Sequence, residues 1–186
     1  KEHPEVANLD PNNFLPILIQ HPLVRQEIVE GFKRDIGFYR NFPGVRSYWL
    51  WNEPLYVNYS EQSRRDFIAQ FLRPRYKTVE ALNQRWRSHY KNFDEVTLIK
   101  TPDSENYAQW YDLQLFRGDQ LADFFEFLKN TAKSIDPTRP THVKFMGISM
   151  SSLDIERLQG LYDITGHDGN TSDRDILFLD FCKSLY

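Results

Sequence analysis

The chain reads as an α/β protein in which helices alternate with short strands, and three observations predict this. An apolar residue every fourth position over 22–41 is followed, after the stop Asn41-Phe42-Pro43-Gly44, by the aromatic run Tyr48-Trp49-Leu50-Trp51. The same order of helix, stop and strand returns with residues 105–135 and then His142-Val143-Lys144-Phe145-Met146. A third strand, Tyr162-Asp163-Ile164-Thr165, follows a short helix. Strands separated by helices pair in parallel through right-handed crossovers, and the resulting sheet is covered on both faces. An open doubly wound sheet and a (β/α) barrel both satisfy that pattern. No Gly-x-Gly-x-x-Gly run follows a strand, which weakens the dinucleotide-binding version of the open sheet. A nucleotide-binding domain would also need a phosphate-cradling loop, and the sequence has none.

Each element has its own sequence reason. Residues 1–20 are rich in Pro and Asn with a short apolar run at Phe14–Ile19; the prolines disfavour a long helix, and an irregular segment hugging the surface is expected. Pro22 suits a first helical turn, and Val24, Ile28, Phe32 and Ile36 form one stripe of a helix over 22–41. The first strand covers 46–52, and Pro54 ends its ladder because it lacks an N–H. Ser60 caps a helix carrying Phe67, Ile68, Phe71 and Leu72, which Pro74 is expected to interrupt. Thr78 caps a second helix from Val79 to about Arg87, and Phe93, Val96 and Leu98 anchor the connector that follows. Residues 105–135 form the longest helix, with a broad apolar face from Trp110 to Ile135. Gly118 within it costs about 1 kcal/mol relative to Ala and permits a bend. Asp154 caps a short helix ending near Gly160, the third strand opens into Gly166-His167-Asp168-Gly169-Asn170, and Ser172 caps a last helix through Cys182.

Length and composition set bounds. The 186 residues suit one domain with a sizeable core. The net charge is −3 and the pI about 6.0, with Lys and Arg scattered, so no nucleic-acid footprint is present. The single Cys182 excludes an internal disulfide and a multi-cysteine zinc site, and no cofactor is expected. No apolar run approaches the roughly 18 residues of a membrane span, and no signal peptide is expected. The chain begins at Lys1 without a methionine, which reads as a processed or excised piece and leaves its compartment open.

Functional residues are sought where strands end. Asn52 and Glu53 sit where a buried strand meets a loop, and a carboxyl beside tryptophans is partly desolvated, the condition of a general acid near neutral pH. The competing reading makes Glu53 a solvated loop carboxyl beside a turn-marking Pro54. Trp49 and Trp51 alternate with Leu50 and are expected to share a face, Trp49 packing in the core and Trp51 touching core and ligand. His167 and Asp168 either line a ligand pocket or belong to a polar loop held by its own side-chain hydrogen bonds. His21, His89 and His142 are isolated and have no metal spacing.

Trp51-Asn52-Glu53-Pro54 resembles the strand-four signature of the retaining glycoside hydrolases of clan A. The run from Phe71 to Trp86 is similar to the segment that follows Asn-Glu in family 42 β-galactosidases. Phe93–Val96, Ser134–Pro140 and His21–Arg25 resemble further stretches of that family. The resemblance implies a partial (β/α)8 TIM barrel, roughly helix three to helix six, with residues 1–186 as part of one catalytic domain and 55–104 as a helical insertion. It implies that Glu53 is the acid/base and that Asn52 contacts a sugar hydroxyl, with Trp51, His167 and Asp168 as further substrate-binding candidates. The nucleophilic carboxyl is expected beyond Tyr186, so the piece alone is expected to be inactive. The cysteines that bind zinc in many relatives are missing from 55–104, so no zinc is expected, and Asp168-Gly169-Asn170 lacks an aromatic found in the family, which leaves the sugar open. The implied partner is a carbohydrate, with no nucleic acid and no membrane; bare sheet edges also imply a second copy or the remainder of the barrel. The rival reading is a noncatalytic carbohydrate-binding or scaffold relative with the same fold.

Overall fold

The computed structural model describes residues 4–8, 15–145 and 155–167. Its centre is a parallel three-stranded sheet in the order β1 (Tyr48–Asn52), β2 (Thr141–Phe145), β3 (Ile164–His167). Helix α1 (Pro22–Tyr39) precedes β1; α2 (Glu61–Asp66), α3 (Arg73–Tyr76), α4 (Val79–Trp86) and the long α5 (Tyr107–Ile135) lie between β1 and β2; α6 (Ile155–Leu161) lies between β2 and β3. The expected order of helices and parallel strands is present. The third strand is displaced toward the C-terminus, so His167 is its last residue rather than part of the following loop. Met146, Asp154 and the last helix, with Ser172 and Cys182, lie outside the described residues.

Helix ends follow local chemistry. Ser60 and Thr78 accept hydrogen bonds from the N–H groups of Ser63 and Ala81, the expected caps. His21, isolated in the sequence and without metal spacing, caps α1 by accepting the Leu23 N–H through Nδ1 at 3.2 Å. Pro74 does not interrupt the helix after Ser60. Between α2 and α3 the chain widens into a π-helical turn, Phe67–Leu72, and helical backbone runs on to Tyr76. A proline has no N–H to give the preceding turn, and a π-turn accommodates that gap without ending the helix. The stop comes at Lys77, whose φ is 67°.

One helix serves two cores. The C-terminal half of α5, through Leu121, Phe124, Phe125, Leu128 and Ala132, packs with Ile36, Tyr48, Leu50, Val143, Leu158 and Tyr162 behind the sheet. Its N-terminal half offers Leu113 and Phe116 to Phe67, Leu72, Leu82, Trp86, Phe93 and Val96 of the 55–104 segment. Helix α5 passes through Gly118 as one continuous element. Buried Asp112 ties the second core together, accepting the Tyr76 hydroxyl and, at 2.8 Å, the Trp86 indole N–H.

A second buried carboxylate fixes the start of the sheet. Asp136, just past α5, accepts the Tyr48 hydroxyl at 2.8 Å, the Thr138 hydroxyl at 2.6 Å and the Arg139 guanidinium at 2.6 Å. Arg139 also donates to the carbonyls of Val45 and Phe42, so the loop before β1 and the loop before β2 share one polar node. These bonds, that to Thr138 foremost, hold the Asp136 carboxyl well below the usual carboxylate range. Asp163, before β3, accepts the Thr141 N–H at 2.9 Å and pairs with Lys133 at 2.9 Å. Those contacts lower its pKa from the ordinary 3.8 to about 2.

Both carboxyls are depressed in the folded chain, so they contribute stability that is complete above the unfolded pKa and disappears as pH falls through the folded one. The melting temperature is expected to drop between about pH 4 and pH 2, and Asp163→Asn, followed by circular dichroism, is expected to flatten part of that drop. An unchanged pH profile in the variant contradicts this assignment.

Candidate functional site

The C-terminal ends of the three strands bring Asn52, Glu53 and His167 to one end of the sheet. Asn52 closes β1 and stands opposite Lys144 of β2 in the parallel register. Pairing continues one residue further, because the Glu53 N–H donates to the Lys144 carbonyl at 2.7 Å. Pro54 follows, is buried, and brings no N–H to extend the ladder. Glu53 itself adopts φ 48°, a left-handed conformation that L-residues rarely take. Its carboxylate turns back over the neighbouring strand, with Oε1 3.0 Å from Lys144 Nζ; the two side chains are 18% and 23% exposed. The loop beyond is tied down on the other side, since the Leu55 carbonyl accepts the Leu15 N–H and the Val57 carbonyl accepts the Asn8 amide.

The surroundings of Glu53 differ from the expected tryptophan wall. A register shift between Trp49 and Trp51 leaves Leu50 without a partner on β2. Tyr48 pairs with buried Thr141 and Trp51 with buried Val143, on the helix-covered face. Trp49 pairs with His142 and Asn52 with Lys144, on the other face. The bulge therefore sends the two indoles to opposite faces, as one extra residue in a strand does. Trp51 packs edge-on against Phe124 of α5, with ring centroids 6.1 Å apart. Trp49, expected in the core, is 57% exposed; it stacks on His142 at 6.0 Å and donates its indole N–H to the Trp51 carbonyl. Burial lowers the pKa of His142, whose Nδ1 has no partner among the described residues.

The remaining candidates divide. His167 ends β3 opposite Phe145, at the same end of the sheet as Asn52 and Glu53. Asp168 lies outside the described residues. Among the described residues no group of three or more His, Cys, Asp or Glu side chains is arranged to hold a metal ion. Sequence reasoning missed Lys144, although a lysine inside an apolar parallel strand breaks the pattern of strands covered on both faces. It also missed the outward turn of Trp49, because the bulge leaves no mark in the residue alternation.

Comparison with known proteins adds a lineage. The beta-galactosidase model of glycoside hydrolase family 42 matches residues 3–175. Beta-galactosidase BgaB of Geobacillus sp. (strain Y412MC61) is 29% identical over 137 residues, covering 68% of this chain and 20% of that protein. Beta-galactosidase LacZ of Lactobacillus acidophilus is 23% identical over 192 residues, covering 90% of this chain and 28% of its own length. Among solved structures, the beta-galactosidase of Bacillus circulans sp. alkalophilus superposes with a TM-score of 0.81 at 19% identity, covering 99% of this chain and 30% of that one. The family 42 exo-carrageenase of Bacteroides ovatus superposes at 0.72 with 23% identity, covering 97% and 29%. The chain thus has the fold of a corresponding part of the two solved structures, and it spans less than a third of the length of each of these four proteins.

The left-handed φ at Glu53 has a measurable consequence. Glu53→Ala and Glu53→Gly both delete the Lys144 ion pair, but only glycine adopts that φ freely, so the glycine variant is expected to be more stable by about 1 kcal/mol in denaturant unfolding. Equal stabilities would show that Glu53 is not held in the left-handed region.

Proposed function

The chain belongs to glycoside hydrolase family 42, the beta-galactosidases, and from that premise we propose that it supplies the acid/base half of a β-glycosidase active site working with retention. The single observation that carries this reading is the placement of Glu53: a mostly buried carboxyl at the C-terminal end of a parallel strand, held by its own backbone and by Lys144. In barrel enzymes the reacting groups gather at that end of the strands. The substrate class is a β-glycoside, a galactoside being the form in the names of the relatives BgaB and LacZ.

Each residue then has a task. Glu53 gives its proton to the departing glycosidic oxygen while a second carboxyl, about 5–5.5 Å away and on a strand beyond this chain, attacks the anomeric carbon. The aglycone leaves as an alcohol, and the sugar remains as an ester of that second carboxyl. Glu53, now a carboxylate against the Lys144 ammonium, takes a proton from water, whose oxygen breaks the ester and restores both carboxyls. Asn52, on the open face beside Lys144, binds a sugar hydroxyl, with His167 and Asp168 as further substrate-binding candidates. Trp51 braces this end of β1 from the helix side through Phe124, and Trp49 is the indole on the open face. In this reading residues 1–186 are part of one TIM-barrel catalytic domain, from about its third helix to its sixth, and 55–104 is an insertion carried on α5.

The test is Glu53→Gln in the full-length protein that carries this chain, assayed with an aryl β-galactoside bearing a good leaving group. Turnover is expected to fall by about 10²–10⁴, with the water-attack step most affected, and added azide should restore turnover by yielding a β-glycosyl azide. An unchanged rate removes Glu53 from this role.

A further inference from the structure

A cavity of about 330 Å³ lies between the residues leading into α1, the loop after β1, α2 and the middle of α5. Asn52, Glu53 and Lys144 are not among its lining residues. Its volume is roughly ten times the ~30 Å³ share of one liquid water, and falls at the lower end of small-ligand pockets. Its wall combines apolar surface with several polar groups, and Tyr56, Ser63 and Gln120 are buried. Ser63 is 3% exposed, and its Oγ has no hydrogen-bond partner among the described residues. A buried hydroxyl without a partner is uncommon in folded proteins and calls for an occupant that supplies one. Tyr56 presents a buried phenol, kept protonated because burial pushes its pKa up, and that oxygen accepts the Asn58 amide at 3.1 Å. His21 accepts the Leu23 N–H through Nδ1, which puts the neutral ring's proton on Nε2. Asp66 uses Oδ1 to accept the Gln62 amide at 2.9 Å, leaving its other oxygen as an acceptor. Gln20 and Gln120 close the wall, joined by an amide to carbonyl bond at 3.3 Å.

We propose that this cavity binds a small neutral polyhydroxylated ligand of monosaccharide size, at a site separate from the strand ends. Closely spaced donors and acceptors suit adjacent hydroxyls, each of which both gives and takes a hydrogen bond. The Asp66 carboxylate disfavours an anion. The Tyr56 ring, Leu18 and Pro22 offer apolar surface for the C–H side of such a ring. The site rests on this geometry; that its ligand is a sugar rests on the family reading above.

The test uses galactose as the probe on the full-length protein carrying this chain. Equilibrium dialysis at up to about 0.1 M, well above a millimolar Kd, is expected to give two sites per chain in the wild type and one in Ser63→Leu, which fills the cavity. Should Ser63→Leu fail to fold, Ser63→Ala is expected to weaken the second site about fivefold to tenfold, the loss of one hydrogen bond. Crystals soaked in galactose are expected to show the sugar against Ser63 and Asp66. Absence of a Ser63-dependent site in the wild type, binding at crystal concentration only, or a second site indifferent to both substitutions overturns the proposal. Loss of sugar at the strand ends, with the Ser63-dependent site intact, counts instead against the acid/base reading.

Discussion

The structure depends on one hydrogen bond beyond the end of a strand. Parallel pairing of β1 with β2 does not stop at Asn52 but includes the Glu53 N–H, bonded to the Lys144 carbonyl at 2.7 Å. Pro54 comes next and brings no N–H of its own, so the ladder ends there. Glu53 takes a positive φ, and its side chain lies back over β2 against Lys144. The ion pair with Lys144 then fixes the carboxylate over the same residue that anchors the backbone. Backbone strain of this kind persists where the surrounding contacts over-determine the conformation.

Those contacts come from both ends of the sheet. At the N-terminal end, Asp136 joins Tyr48 of β1 to Arg139 before β2, and Arg139 reaches the loop that follows α1. Behind the sheet, Phe124 and Phe125 of α5 occupy the core on which Leu50, Trp51 and Val143 rest. Helix α5 also seats the 55–104 segment through Leu113, Phe116 and Asp112. A rigid base of this kind makes the position of one carboxyl at the far end of the strands a consequence of packing rather than of loop conformation.

Much of this was legible in the residues. The stripe Val24, Ile28, Phe32 and Ile36, the caps Ser60 and Thr78, and the strand-ending Pro54 each act through local chemistry, and the alternation of helices and parallel strands followed from them. What stayed hidden was set by partners distant in sequence. The bulge at Leu50 depends on register against β2, and it separates Trp49 from Trp51, which simple alternation places together. Pro74 was read as a break because a π-turn, which absorbs the missing N–H, has no simple residue pattern. Lys144 gained its meaning only when β2 lay beside β1, and His21 became a cap and a cavity residue only with its loop in place.

The central claim is that the Glu53 carboxyl faces the bond to be broken. The most direct measurement is a crystal structure of the full-length protein carrying this chain with a thio-linked β-glycoside, which resists hydrolysis. The account predicts a Glu53 carboxyl oxygen within hydrogen-bond reach of the bridging sulfur, about 3 to 3.5 Å away, with Lys144 still beside it. A sugar bound at the strand ends whose glycosidic link is met by another carboxyl, with Glu53 turned away from it, would contradict the account.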